Sequence, residues 1–119
     1  MKMRSLGGSG LQVSALTMGT MTFGGAGRHR AMGQVQVEEA TAMVDACLEA
    51  GINFFDTADV YSEGRSEEVL GKALGKRRQD VLVATKVQSP MGEGPNARGQ
   101  SRHHLIEGCE ASLRRLGTD

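Results

Sequence analysis

The stretch Asp80-Val81-Leu82-Val83-Ala84-Thr85-Lys86-Val87 decides the fold class. It is an almost continuous run of apolar and β-branched residues, which is typical of a strand buried on both faces of a parallel sheet. Neighbouring parallel strands need a long crossover between them, and that crossover is usually a helix. The run therefore predicts an α/β fold with helices before and after it.

Two shorter runs precede it, Leu16-Thr17-Met18-Gly19-Thr20-Met21 and Ile52-Asn53-Phe54-Phe55-Asp56, and each of the three is followed by a loop and a helical pattern. Apolar residues at helical spacing define the buried faces of these helices. The predicted faces are Val37, Ala40, Met43, Val44, Cys47 and Leu48 in the first helix, Val69, Leu70, Ala73 and Leu74 in the second, and Leu105, Ile106, Cys109, Leu113 and Leu116 in the third. Ser66 and Ser101 are the predicted N-caps of the second and third helices, and Gly51, Gly75 and Gly117 end the three patterns.

Two short extended segments around Gly7-Gly8-Ser9-Gly10 predict an N-terminal β-hairpin. We divide the chain into this hairpin (1–15) and three successive βα units (16–51, 52–79 and 80–119). Three units are too few to close a (β/α)8 barrel, which typically needs about 250 residues. The pattern favours a part of a larger domain, and a small autonomous three-stranded fold is the alternative.

Composition excludes several classes of function. Fourteen Lys and Arg balance fourteen Asp and Glu, so we expect neither a nucleic-acid partner nor an anionic membrane surface. No apolar run approaches the roughly 20 residues of a membrane-spanning helix, and no hydrophobic stretch follows the basic N-terminus, so no secretory signal is predicted. The two cysteines, Cys47 and Cys109, are expected to be buried and reduced, in a cytoplasmic protein.

Three polar residues are expected to meet where the predicted strands end, at the edge that carries the active sites of parallel α/β barrels. Lys86 closes an apolar strand and needs a counter-ion, which Asp56 supplies at the matching end of the neighbouring strand. Tyr61 lies five residues beyond Asp56 and can fold back over the same edge. An adjacent ammonium makes a phenol a more effective proton donor. From spacing alone, a surface salt bridge beside an unrelated loop tyrosine remains the alternative.

Several longer motifs occur in an order that resembles the N-terminal part of the aldo-keto reductases, from about Leu11 to the last residue. They are LTMGTMTFG (16–24), GINFFDTADVY (51–61), SEEVLG (66–71), ATK (84–86), SR (101–102) and SLRRLGTD (112–119). The resemblance implies the first three βα units of a (β/α)8 TIM barrel, preceded by the hairpin, and thus an incomplete barrel within one domain.

The resemblance also implies an NADPH-dependent oxidoreductase that reduces small aldehydes or ketones to alcohols by hydride transfer. Tyr61 would then be the general acid, Lys86 would tune it and Asp56 would pair with Lys86. By the same resemblance, the residues near the nicotinamide would be Gly19, Thr20, Met21 and Asp56.

Some parts of the family's site fall outside this sequence. The resemblance implies a further catalytic histidine after a fourth strand, which His29, His103 and His104 do not match, and an adenosine-phosphate site late in the barrel. A second chain or a C-terminal segment would complete the barrel, and we expect the 119 residues alone to be inactive. The alternatives are a non-catalytic, NADPH-binding regulatory or interaction subunit, as in relatives that serve membrane channels, and a truncated inactive gene product.

The remaining histidines and glycines carry weaker expectations. Arg28, His29 and Arg30 are expected in a solvent-exposed loop, with contact to a ligand phosphate as the alternative. The adjacent His103 and His104 would point about 100° apart on a helix, and no metal site is expected. Gly24-Gly25-Ala26-Gly27 lacks the Lys-Ser/Thr of a phosphate-binding loop and predicts a flexible loop at the rim.

Overall fold

The computed structural model describes residues 1–119, in which two small sheets are combined with three α-helices. The strands are β1 (Met3–Ser5), β2 (Gln12–Ser14), β3 (Met18–Gly19), β4 (Phe54–Asp56) and β5 (Leu82–Ala84). The α-helices are α1 (Val37–Glu49), α2 (Arg65–Leu74) and α3 (Arg102–Leu116), and short 3₁₀ segments cover Gly27–Met32, Tyr61–Gly64 and Gly75–Asp80.

The N-terminal hairpin pairs β1 with β2 in antiparallel register, with Met3 opposite Ser14. Asn53 attaches it to the rest of the chain. The backbone N–H of Ser14 donates to Asn53 Oδ1 at 2.8 Å, and the backbone N–H of Asn53 donates to Ser14 Oγ at 3.1 Å. The hairpin is thereby held at the residue that precedes β4.

The second sheet is parallel, with β4 between β3 and β5. Gly19 lies opposite Asp56, and Asp56 lies opposite Ala84, so the carboxyl ends of all three strands meet at one edge. This arrangement confirms the predicted α/β class and its βα units. The observed strands are shorter than the apolar runs, and β5 is half-buried rather than buried on both faces, because it pairs with a neighbour on one side only.

The core lies between this sheet and helices α1 and α2. Its members are Phe23, Ala40, Val44, Phe55, Val69, Leu70, Ala73, Leu74, Val81 and Leu116. Each fully buried large side chain contributes on the order of 1.5–3 kcal/mol relative to exposure. The apolar faces predicted for α1 and α2 both face this core, and the remaining members of the α1 face are packed against it.

The face predicted for α3 is wrong in part. Leu116 is buried and Leu113 is half-buried, whereas Leu105, Ile106 and Cys109 are exposed. The positions buried instead include two polar residues, His104 and Ser112.

The contact between α2 and α3 explains which face of α3 is covered. At Gly71 the two helices approach so closely that a methyl group would collide with the backbone oxygen of Leu116. A Cβ at Gly108 would lie 2.7 Å from Val87 Cγ1, just beyond β5. These two close approaches orient α3, so its exposed apolar side has no neighbour within residues 1–119.

The helix ends follow local sequence signals with one exception. Ser101 caps α3 by accepting a hydrogen bond from the backbone N–H of His104 at 3.1 Å. After α1, Gly51 adopts a φ of 80°, and the N–H groups of Gly51 and Ile52 donate to the carbonyls of Leu48 and Cys47, which is the Schellman arrangement.

The exception is Ser66, which was predicted to cap α2. The helix already begins at Arg65, and the Ser66 hydroxyl is buried and donates to the Thr20 carbonyl oxygen at 2.7 Å. A tertiary hydrogen bond therefore takes the side chain that a cap would use.

Both cysteines are free thiols on helices. Cys47 is half-buried, and burial raises the pKa of its thiol. Cys109 is exposed, contrary to expectation, because it lies on the uncovered side of α3. None of the three helices is both long enough and apolar enough to cross a bilayer.

Candidate active site

The carboxyl edge of the parallel sheet holds an ion pair between Lys86 and Asp56. Lys86 Nζ donates to both carboxylate oxygens of Asp56 at 2.8 Å and to the carbonyl oxygen of Thr57 at 2.7 Å. Three acceptors thus fix the ammonium. The pair is partly open to solvent, because the side chains of Lys86 and Asp56 keep 50% and 36% of their exposure.

Tyr61 joins this pair. Lys86 Nζ lies 5.1 Å from the centroid of the Tyr61 ring, which is within the range of a cation–π contact. The loop after β4 brings the ring there because it runs along the continuation of β5: the N–H of Thr57 donates to the Ala84 carbonyl at 2.9 Å, and that of Asp59 donates to the Lys86 carbonyl at 3.3 Å. The three residues singled out by the sequence are therefore neighbours.

The backbone directly after Tyr61 is strained. Ser62 and Glu63 adopt left-handed conformations, with φ of 50° and 56°, followed by Gly64 at 93°. Non-glycine residues in this region each carry strain of order 1–3 kcal/mol, and such strain concentrates at functional sites. The Ser62 hydroxyl is also buried without a hydrogen-bond partner. The turn that presents Tyr61 is therefore held in place by its surroundings.

Strand β3 and the two residues that follow it contribute residues of two kinds to the same edge. Gly19 and Met21 are exposed, and a Cβ placed at Gly19 would meet nothing within 4 Å. Thr20 is fully buried, and its hydroxyl lies 3.2 Å from the Asp56 carbonyl oxygen and 3.0 Å from Ser66 Oγ. Gly19 and Met21 are thus open to a ligand, whereas the Thr20 side chain joins β3, β4 and α2.

A buried ionic network beneath this edge was not found from the sequence. The Glu67 side chain has no exposure and accepts hydrogen bonds from Thr85 Oγ1 and Arg115 Nε, each at 2.6 Å. It links α2 to the residue after β5 and to α3. The available signal is spacing, because Glu67 precedes Leu70 and Leu74 by three and seven positions and so shares their buried helix face.

Asp59 lies buried next to this network, and its Oδ2 has no hydrogen-bond partner. Burial raises the pKa of the Asp59 carboxyl, and the charge of Glu67 acts in the same direction. The backbone N–H of Val60 and the charges of Arg115 and His104 oppose that rise. His104 Nε2 is likewise buried and unpartnered.

His29 does not lie in solvent, contrary to expectation. Only 6% of its surface is exposed, and its ring packs in a T-shaped arrangement on Tyr61, with 5.5 Å between centroids. Its neighbours Arg28 and Arg30 are exposed, as expected. The loop that carries His29 packs against the turn 61–64, and this tertiary contact has no counterpart in the local sequence pattern.

A cleft of about 530 Å³ opens at the loop that carries Tyr61, although the Tyr61 side chain does not line it. Its lining residues are Arg28, Val60, Glu63, Pro90 and Met91. Within residues 1–119, no group of three or more His, Cys, Asp or Glu side chains is arranged to hold a metal ion.

Comparison with known proteins agrees with this architecture. The family model "Aldo/keto reductase family" matches residues 15–119. An aldo-keto reductase from Bacillus halodurans, solved in its holo form, superposes with a TM-score of 0.82 and 40% identity, over all of this chain and 37% of that one.

Two plant relatives match the whole chain. They are named "Probable voltage-gated potassium channel subunit beta", from Oryza sativa subsp. japonica at 48% identity and from Arabidopsis thaliana at 45%. The chain spans 35% of the length of each. Because the family model covers all but the first 14 residues, and because the fold is that of the superposed reductase, this chain belongs to the aldo/keto reductase family.

Proposed function

We propose that this chain supplies the proton-donating part of an NADPH-dependent reductase that converts aldehydes or ketones to alcohols. One observation carries the proposal: the Lys86 ammonium is fixed by Asp56 and Thr57 and faces the ring of Tyr61. This arrangement gives a proton donor and its tuning charge at the edge where active sites of parallel barrels lie.

In this proposal Tyr61 donates its phenolic proton to the carbonyl oxygen of the substrate as the alcohol forms. The phenolate that remains is stabilised by the positive charge of Lys86. Asp56 acts through Lys86, because its two oxygens hold the ammonium in place. General acid catalysis of this kind typically accelerates a reaction by about 10²–10⁴-fold.

The open part of the edge fits a nicotinamide. Gly19 leaves room beside Asp56 because no side chain fills that position, and Met21 presents an exposed apolar surface next to it. When bound, NADPH supplies the hydride. Thr20 would contribute by positioning β3 against Asp56, since its hydroxyl is used internally.

The cleft lined by Val60 and Glu63, which flank Tyr61 in the chain, is the proposed substrate side. Its volume of about 530 Å³ lies within the usual range for small-molecule sites. Val60 and Met91 offer apolar surface there, and Arg28 and Glu63 offer charge.

The proposal also includes completion of the barrel and a location. β3 and β5 each have a free edge, so we propose that a further segment or a second chain pairs with them, without which the 119 residues do not turn over substrate. The two free cysteines support a cytoplasmic location, where thiols stay reduced.

The test replaces the matching segment of the Bacillus halodurans reductase with this chain and assays the chimera with NADPH and a nitrobenzaldehyde. We expect turnover in the chimera and none in the isolated chain. Tyr61→Phe should lower kcat of the chimera by about 10²-fold or more, because the ring stays and the proton is lost. Unchanged turnover in Tyr61→Phe would refute the assignment.

A second candidate function is a cofactor-binding subunit of a channel complex. The two plant relatives named as potassium channel subunits favour it, at 48% and 45% identity. A folded chimera that binds NADPH but reduces no aldehyde would support this candidate over the reductase.

A further inference from the structure

We propose that His29 is a positioning residue that packs the Tyr61 ring into its place beside Lys86. This inference rests on the proposed role of Tyr61 as the proton donor. His29 lies outside the sequence motifs that mark the site, five residues after the first of them, and it reaches the ring from the loop between β3 and α1.

Two separate segments of the chain contact the Tyr61 ring. Lys86 approaches the ring from the end of β5, at 5.1 Å from the centroid. His29 packs on the ring at 5.5 Å between centroids and an interplanar angle of 60°. A T-shaped contact at this distance is a favoured aromatic geometry. The tyrosine ring is therefore constrained by a charge and by a second ring.

The loop that carries His29 is closed at its base. The N–H of Val35 donates to the Thr22 carbonyl at 3.1 Å, and the N–H of Gly24 donates to the Val35 carbonyl at 2.9 Å. These two hydrogen bonds join the two ends of the loop and so keep the loop close to the body of the protein.

The same loop packs on the strained turn that follows Tyr61. A Cβ at Gly24 would lie 3.0 Å from Ser62 Cβ and 2.9 Å from Arg65 Cβ, and one at Gly27 would lie 2.5 Å from Glu63 Oε1. The positive φ values of both glycines permit this approach. The loop therefore supports the left-handed backbone of residues 62–63 and the tyrosine ring together.

The ring of His29 acts by its shape. Its Nδ1 is buried and has no hydrogen-bond partner, so this nitrogen makes no contact that positions Tyr61. A phenylalanine would preserve the ring contact and remove the unpartnered polar atom. An alanine would remove the ring and leave Tyr61 free to turn.

The composition of the chain makes Tyr61 easy to observe. It is the only tyrosine, and there is no tryptophan, so the tyrosine band in near-ultraviolet circular dichroism reports on this side chain alone. The experiment compares the 119-residue chain with His29→Ala and His29→Phe. His103→Ala is the matched control, because it removes the same residue type from an exposed helix position.

We expect His29→Ala to reduce the tyrosine band at least twofold while the far-ultraviolet spectrum stays unchanged. His29→Phe should retain the band, and His103→Ala should leave it as in the parent chain. The proposal is wrong if His29→Ala keeps the tyrosine band, or if His29→Phe loses as much of the band intensity as His29→Ala does.

Kinetics in the chimera provides the second readout. A positioning role predicts that His29→Ala lowers kcat about tenfold with little change in KM for the aldehyde, because misplacing a reacting group slows chemistry more than binding. His29→Phe should restore kcat. If the chimera shows no turnover, the reductase proposal fails, and the circular dichroism still decides the role of His29.

Discussion

Two carboxylate–cation pairs in this protein differ chiefly in the exposure of their side chains. Asp56 and Lys86 meet at the carboxyl edge of the sheet, with 36% and 50% of their side chains exposed. Glu67 and Arg115 meet beneath that edge, with 0% and 21% exposed. Each pair has a close contact, at 2.8 Å and 2.6 Å respectively.

The difference in exposure separates a site for chemistry from a structural link. Water competes with an exposed pair, so such pairs typically contribute only about 0–1 kcal/mol to stability. A buried pair is more costly to break, because the remaining charge is poorly solvated. The Lys86 pair is available to a ligand and to Tyr61, whereas the Glu67 pair joins α2, α3 and the end of β5.

The largest expected effect on stability comes from breaking the buried pair. Glu67→Gln keeps the size of the side chain but removes the charge that pairs with Arg115, whose side chain is 21% exposed. We expect a loss of about 1–3 kcal/mol in the free energy of unfolding, measured by urea denaturation. Glu68→Gln, at the neighbouring exposed position, is the control and should change stability by less than about 0.5 kcal/mol. Equal losses of stability in Glu67→Gln and Glu68→Gln would show that the buried ion pair does not stabilise the fold more than an exposed charge does.

A smaller effect on stability is expected from the exposed pair. Lys86→Met should change the free energy of unfolding by less than about 1 kcal/mol, because water can solvate Asp56 in its place. In the chimera the same substitution should lower kcat much more than it weakens NADPH binding, as expected for a residue that acts in the reaction. Equal losses in kcat and affinity would indicate a purely structural lysine.

The smallest expected effect is a pH dependence of the free energy of unfolding that arises from the buried carboxyl of Asp59. Burial raises the pKa of Asp59 in the folded chain above its ordinary value of 3.8, so the folded state holds that proton more tightly than the unfolded state. Stability from this group is therefore present below pH 3.8 and is lost as pH rises through the folded pKa.

Asp59→Asn should accordingly gain stability over the parent chain as pH rises, and the gain should vanish under acidic conditions. Urea denaturation of both chains across acid and neutral pH measures this difference. Asp45→Asn is the control, since it makes the same chemical change at a half-exposed residue that pairs with Arg77. If the stability difference between Asp59→Asn and the parent chain does not change with pH, then the pKa of Asp59 is not raised in the folded state.

Sequence patterns located most of the fold and the centre of the site. The apolar spacing of α1 and α2, the Ser101 cap and the Gly51 and Gly117 ends all depend on residues within a turn or two of one another, and the structure has each of them. Asp56 and Lys86 could be placed together because neighbouring parallel strands end at one edge.

Other features could not be predicted from the sequence, because they depend on which segments, far apart in the chain, cover a side chain. Ser66 looked like a cap but bonds to Thr20, 46 positions away. Glu67 lies in the first turn of α2 but is buried against Arg115, 48 positions away. The same holds for α3, whose buried positions include the polar residues His104 and Ser112, whereas Leu105 and Ile106 remain exposed.

By itself, therefore, the sequence determined the order of the elements, most of the helix ends and the residues at the carboxyl edge, because each follows from local spacing and backbone preference. Only the tertiary structure decided which charges are buried and which ring packs on Tyr61. Burial and ring packing arise when segments far apart in the chain exclude water from between them, and His29 against Tyr61 is the clearest instance.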